Sequence, residues 1–143
     1  MKKCTILTFL LLFAAGLAHA QTYQNLALNR KAWHSTSNDF YHTAHMATDG
    51  NTDLTRWEAK RGWYSGSDWL SVDLGKVQTI DKVIIHWNEA HGTQYRIQVS
   101  TASERPETWK DVHSVIDGDG AKDVIKLDPV KARFVRLFIE QKN

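Results

Sequence analysis

The chain has 143 residues, with 18 Lys and Arg against 16 Asp and Glu, six Trp and one Cys. That length supports a single domain with its own core. The near-balance of charge removes the broad positive field that nucleic acid or an anionic membrane would need, and a lone cysteine excludes a disulfide framework.

The chain opens with Lys2 and Lys3, an apolar run over 6–17, and Ala18-His19-Ala20 before Gln21. A basic start, a short apolar core and small residues at a cleavage point form the pattern of a secretory signal peptide. The run is too short for a spanning helix. A signal peptide over 1–20 is therefore expected, and with it a protein that is secreted, periplasmic or at the cell surface. Cys4 lies inside this leader, so the mature chain has no cysteine and no lipidated one. Loss of Lys2 and Lys3 leaves 16 basic residues against 16 acidic ones, and a domain without disulfides must rely on its apolar core.

From about residue 24 to 143 there is no repeat, linker or low-complexity tract, which reads as one domain. Strand patterns fall at 31–36, 69–74, 80–87, 95–100, 109–115, 123–127 and 133–140. In the clearest of them Leu70, Val72 and Leu74 share one face while Trp69, Ser71 and Asp73 share the other. The short helical candidate is 43–48. Many short strands separated by turn signals predict an all-β antiparallel sandwich. Asp117-Gly118-Asp119-Gly120 reads as a hairpin connection, with a poor fit to a helix-loop-helix calcium site.

No catalytic constellation stands out: there is no Gly-x-Ser-x-Gly, no His-Glu-x-x-His and no Walker loop. Asp68, Asp73 and Asp81 flank strands and read as solvated or structural carboxylates. His42 and His45, three apart, would form half of a zinc site on a helix, against the plainer reading of surface histidines. Trp69, Trp87 and Trp109 lie in strand patterns and read as core, Trp57 as packed beneath a loop, and Trp33 as undecided.

Several motifs occur in order: Asn25-Leu26-Ala27, then Ala47-Thr48-Asp49-Gly50-Asn51, then Arg56-Trp57. Trp69-Leu70-Ser71-Val72-Asp73-Leu74-Gly75, Tyr95-Arg96-Ile97-Gln98-Val99-Ser100, Trp109 and Ala132-Arg133-Phe134-Val135-Arg136-Leu137 follow. Together they resemble the factor V/VIII type C, or discoidin, domain, in the branch of bacterial family 32 carbohydrate-binding modules. The resemblance covers nearly all of the chain after the leader. It implies a jelly-roll of about eight strands in the galactose-binding-domain-like class, and a non-catalytic module that binds glycan or polysaccharide. A discoidin-like adhesion module for protein or lipid headgroups is the alternative it leaves.

The resemblance also implies ligand-binding loops at one end of the sandwich. Phe40, Tyr41, Trp63 and Tyr64 would stack on sugar faces, Trp63 foremost; His42, Glu58, Lys60, Arg61, Asn88, Glu89 and His91 would meet hydroxyl groups. Trp87-Asn88-Glu89-Ala90 stands where galactose-binding members carry an Arg and an Asn, a departure from the galactose pattern. A structural Ca2+ is implied at Met46 (main chain), Asp49, Asn51 and Thr55, in a loop rich in oxygen. The family's closing segment, with a further Glu, has no counterpart at Glu140-Gln141-Lys142-Asn143. The expectation is a sandwich short of its last strand, open beside residues 25–28. A truncated product and a piece of a longer multimodular enzyme are both compatible with this.

Overall fold

The computed structural model describes residues 23–60 and 66–143. The predicted leader, and Arg61, Trp63 and Tyr64 among the expected ligand residues, lie outside the described residues. Within them, β1 (Ala32–His34), a 3-10 turn (Ala44–Ala47), β2 (Asp68–His86), β3 (Gly92–Ser100), β4 (Lys110–Val115) and β5 (Lys122–Lys142) follow in chain order. All pairings are antiparallel, and the strands lie in the order β1-β2-β5-β3-β4.

The described residues form five strands where the resemblance implies about eight. The expected strands 69–74 and 80–87 are one strand, β2, and 123–127 and 133–140 are one strand, β5. The two turn a corner together: their pairing steps from Asp73↔Phe134 to Gln78↔Ala132 and shifts again between Ile80 and Lys82. Gly75 sits at that corner with φ +87, a left-handed conformation that glycine adopts without steric cost. An irregularity of this kind bends a strand without ending its ladder. Pro129, which has no N–H to give, falls where the register skips from Val130 to Lys126.

The corner makes two layers from one sheet. The first half of β2 and the second half of β5 lie within the five-stranded layer. Their other halves, paired from Gln78↔Ala132 to His86↔Lys122, fold back over it as a ribbon. Alternation then decides what is buried. Val72, Leu74, Ile80, Val99 and Ala132 form one cluster, and Tyr95, Ile97, Ile125 and Ile139 another. Each cluster takes members from both layers. Val83, Ile85 and Leu127 of the ribbon pack against the second. Full burial of such side chains is worth about 1.5–3 kcal/mol each, and it is this contact that holds ribbon and layer together.

Tyr95, fully buried, closes one end of the core: its ring meets Trp87 edge-on at 5.4 Å, and its hydroxyl donates to Asp123. Burial first, and then the Asp123 carboxylate, push that hydroxyl's pKa well above the ordinary tyrosine value.

Three smaller expectations change. Strand β1 is shorter than 31–36, because the hydroxyls of Ser35 and Thr36 turn to Asp68 Oδ1 at 2.9 and 2.7 Å. The 43–48 candidate is a single 3-10 turn with Ala44 buried. Asp117-Gly118-Asp119-Gly120 is no hairpin, since β4 and β5 both pair with β3 and not with each other. It is a crossover from the sheet edge to the ribbon, and Gly118 packs so close to the Gly92 carbonyl that a Cβ has no room.

The tryptophans divide by face. Trp87 joins the core, and Trp57 packs on it while donating Nε1–H to Thr36 O at 2.9 Å. Trp69 and Trp109, expected in the core, are half-buried outside both clusters. Trp69 pairs with Phe138 and Trp33 with Ser71, which places Trp33 and Trp69 on the face of the layer away from the ribbon. Arginines cover them there: Arg136 lies 4.2 Å from the Trp109 ring, and Arg105 lies 5.5 and 5.7 Å from Trp33 and Trp69.

Candidate functional site

The antiparallel corner brings the start of β2, the end of β5, the start of β3 and the far end of the ribbon to one end of the sandwich. The expected ligand loops hang from these ends. Residues 38–42 and 58–60 are bound to each other by main-chain hydrogen bonds, Asn38 N–H to Glu58 O at 2.9 Å and Glu58 N–H to His42 O at 3.1 Å. Lys60 N–H donates to Thr36 Oγ1 at 3.0 Å. Phe40, Tyr41, His42, Glu58 and Lys60 therefore share one surface.

Beneath them Asp68, 1% exposed, accepts from Ser35, Thr36 and the Lys142 ammonium. Burial works to raise its pKa, but the bonds from Lys142, Thr36 and Ser35 prevail and hold it below the usual carboxylate value. Asp68 is thus structural, as expected of it. So is Asp73, gripped by Arg133 Nε and Nη2 at 3.0 Å each.

Residues 88–91 belong to the same end through the last residues of the chain. Lys142 pairs with Gly92 in the ladder. His91 N–H donates to Asn143 Oδ1 at 2.7 Å, and Asn143 Nδ2–H donates to Glu89 O at 3.1 Å. Asn88 Oδ1 accepts the Glu89 N–H at 2.7 Å, and the His91 ring lies over Gly120. Sequence reading missed Lys142 and Asn143 as supports of this site. They lie 74 and 52 residues from their partners, a distance no local pattern spans.

The side chains at this end differ in what they leave free. Phe40 is 93% and Tyr41 80% exposed, two rings with no packing role. The Glu89 carboxylate and Lys60 ammonium have no partner among the described residues. By contrast, Arg56 holds Glu58 through Nε and Nη2 at 3.2 and 2.9 Å, and Asp39 holds His42 at 2.8 Å. Rings offer apolar area, and free ionic groups offer hydrogen bonds, so this end is equipped to bind a polyhydroxylated ligand.

The expected cation loop lies elsewhere. It runs along the flank of β1, where Asn29 N–H donates to Thr48 O at 2.6 Å and Thr48 Oγ1–H to Arg30 O at 3.0 Å. Asp49 Oδ2 accepts from Thr55 Oγ1 at 2.6 Å, and that hydroxyl also stands 3.5 Å from Asn51 O. Thr55 and then the Asn51 amide hold Asp49 below the usual carboxylate pKa. Calcium takes about six to eight oxygens, of which the loop gathers these three. The Asn51 side chain does not turn to them, because its Oδ1 accepts the N–H groups of Asp53 and Leu54, each at 2.9 Å. Met46 sits in the 3-10 turn, its N–H bonded to Thr43 O. His42 and His45 do not act as a pair: Asp39 takes the first, and Thr43 Oγ1 the second at 2.7 Å.

Comparison with known proteins follows this geometry. Residues 46–137 match the F5/F8 type C family described as the NedA-like, galactose-binding domain. Two solved structures from Paenibacillus sp. IK-5 are similar over almost their whole length. One is chitosan-binding module 1 of a chitosanase/glucanase, with 34% identity, TM-score 0.80, and 85% of this chain and 89% of that one covered. The other is module 2 of the same enzyme in complex with chitotriose, with 37% identity, TM-score 0.78, and 82% and 88% covered. The polysaccharide lyase 8 family protein HylA of Enterococcus faecalis is 33% identical over 90 residues, 63% of this chain. The chain spans only 6% of that protein's length. At 22% identity and TM-score 0.64, a family 32 module of Clostridium perfringens, covered over 79% of this chain and 85% of its own, shares the fold. The chain belongs to the F5/F8 type C family, as a NedA-like, galactose-binding-type domain.

Proposed function

We propose that this protein is a non-catalytic carbohydrate-binding module whose ligand lies across the loop end that carries Phe40, Tyr41, Lys60 and Glu89. The observation that carries this is the end-to-end similarity to two chitosan-binding modules, one of them solved with chitotriose. The unpartnered Glu89 carboxylate suits the amino groups of such a sugar chain, and the two exposed rings suit its C–H faces. Isothermal titration with chitotriose and with galactose tests the reading. Tyr41→Ala is expected to weaken the preferred sugar by about tenfold, roughly 1.4 kcal/mol, with the melting temperature unchanged. Trp63→Ala is expected to match it. Full affinity in both variants would remove this end from binding.

The module works outside the cytoplasm as part of a larger polysaccharide-active protein, a reading supported by the leader pattern over 1–20 and by relatives in which it is one piece. It also holds a structural Ca2+ through Asp49, Thr55 and the main chain of Asn51. An ion bound by the folded state alone raises the melting temperature, so chelation is expected to lower it and millimolar calcium to restore it. Asp49→Ala is expected to abolish that difference; equal melting of the wild type with chelator and with calcium would exclude the ion.

A further inference from the structure

A concave feature lies on the flank of β1, next to the loop end. It is a groove of about 290 Å³ lined by Trp33 and His34 of β1, by Thr43 before the 3-10 turn and His45 within it, and by Arg105 from the loop between β3 and β4; Ala32 and Ala44 complete its wall. That volume is at the lower limit of ligand sites, about 300 Å³, and suits one sugar ring, not a chain.

The chemistry of the wall is one-sided. It presents a guanidinium, two imidazoles, a hydroxyl and an indole, and no carboxylate. Arg105 is exposed and its guanidinium rests against Trp33 and Trp69, at 5.5 and 5.7 Å from the ring centroids. Although Glu104 and Glu107 are its near neighbours in the chain, no carboxylate among the described residues pairs with it. Two rings thus hold the cation, which leaves the N–H edges of its fork without an acceptor. His34 Nδ1 is buried with no hydrogen-bond partner among the described residues, an uncompensated polar atom behind the groove's inner wall. His45 spends only Nδ1, on Thr43. The lining has donors in excess, and a planar anionic acceptor matches an arginine fork best.

We infer that this groove binds a single sugar unit bearing a carboxylate, with the carboxylate on Arg105 and the ring against Trp33. The sugar part of the ligand rests on the carbohydrate-binding reading above; the carboxylate part rests on the groove alone. The groove shares no lining residue with the loop end, although Thr43 follows His42 directly, so one module would contact a neutral or amino sugar at its tip and an acidic unit beside it.

The test is a titration of isotope-labelled protein with D-glucuronate, D-glucose and acetate, followed by amide chemical shifts. Glucuronate is expected to give saturable shifts at residues 32–34, 43–45 and 105; glucose and acetate are expected to give none there. Arg105→Gln is expected to weaken glucuronate at least tenfold while chitotriose affinity stays unchanged, and Tyr41→Ala is expected to do the reverse. Arg105→Lys, which keeps the charge and loses the fork, should recover only part of the affinity, and Trp33→Phe is a second probe whose melting temperature reports any damage to packing. Three results would overturn the proposal: no glucuronate shifts, shifts confined to residues 38–42 and 88–91, or glucuronate affinity indifferent to Arg105→Gln. Acetate binding as tightly as glucuronate would overturn the sugar assignment. Loss of chitotriose binding in Tyr41→Ala with glucuronate binding intact separates this site from the first.

Discussion

The two faces of the five-stranded layer are built from the same strands and work by different physics. On β3, Tyr95, Ile97 and Val99 point to the ribbon and are at most 3% exposed. Between them, Arg96 and Gln98 point the other way into a polar chain. Arg96 pairs with Asp111 and Glu140 at 2.8 Å each. Gln98 donates to Asp111 Oδ1 and accepts from Arg136 Nε, both at 2.6 Å. Arg136 in turn stacks on Trp109 and Phe138. One face gains by excluding water over area, while the other trades protein partners for water partners at a small net profit. Apart from Phe134, which lies against Trp33 on the outer face at 1% exposure, the fold should therefore depend on the inner face, and the polar network of the outer face should tolerate change.

The largest effect expected from this difference is at Ile97. Its truncation to Ala leaves a cavity between layer and ribbon and should cost about 2–5 kcal/mol, read as a lower urea midpoint. A cost below 1 kcal/mol would mean that the ribbon does not depend on the layer for its packing.

Asp68 comes next, because it is buried and polar at once. Asp68→Ala strips the acceptor from Ser35, Thr36 and Lys142 and should cost about 1–3 kcal/mol. Its pKa is lowered in the fold, so its stabilisation is complete above the unfolded value near 3.9 and is lost as pH falls through the folded value. Stability of the wild type should thus fall below about pH 4, and the Asp68→Asn variant should show a shallower fall. Parallel pH profiles would place the acid sensitivity elsewhere, Asp73 and Asp111 being the other lowered groups with arginine partners.

The smallest effect belongs to the outer face. The Arg96 side chain is 30% exposed and its partners 41–45%, so Arg96→Ala should cost about 0–1 kcal/mol, less in high salt. A loss as large as that of Ile97→Ala would show that this network acts as a cooperative unit.

Legibility from sequence followed the range of each interaction. The alternation of Leu70, Val72 and Leu74 is a local signal, and it located both the strand and the face that meets the core. Gly75 was legible as the end of a strand but not as a corner, since whether a left-handed glycine stops a ladder or bends it depends on a partner that turns with it. Phe40 and Tyr41 were legible as loop aromatics because nothing in their surroundings patterns them for burial. Trp69 and Trp109 were misplaced in the core: an indole in a strand fits either face of a sheet, and the position of the ribbon chooses between them. The groove of Trp33, His34 and Arg105 could not be anticipated, for it joins residues about seventy apart that carry no shared motif.

By itself the sequence determined an all-β chain with an apolar stripe on alternate residues, glycines and aspartates at its turns, and motifs specific enough to mark its family. Period-two patterning and turn chemistry act within a few residues and need no tertiary partner. The tertiary structure alone decided that two long strands fold back together into both layers. It also decided that Lys142 and Asn143 brace the loop end, and that rings left outside the core lie against arginines. Each of these outcomes is set by contacts across dozens of residues, where the competing arrangements have the same local pattern and differ only in what packs against it.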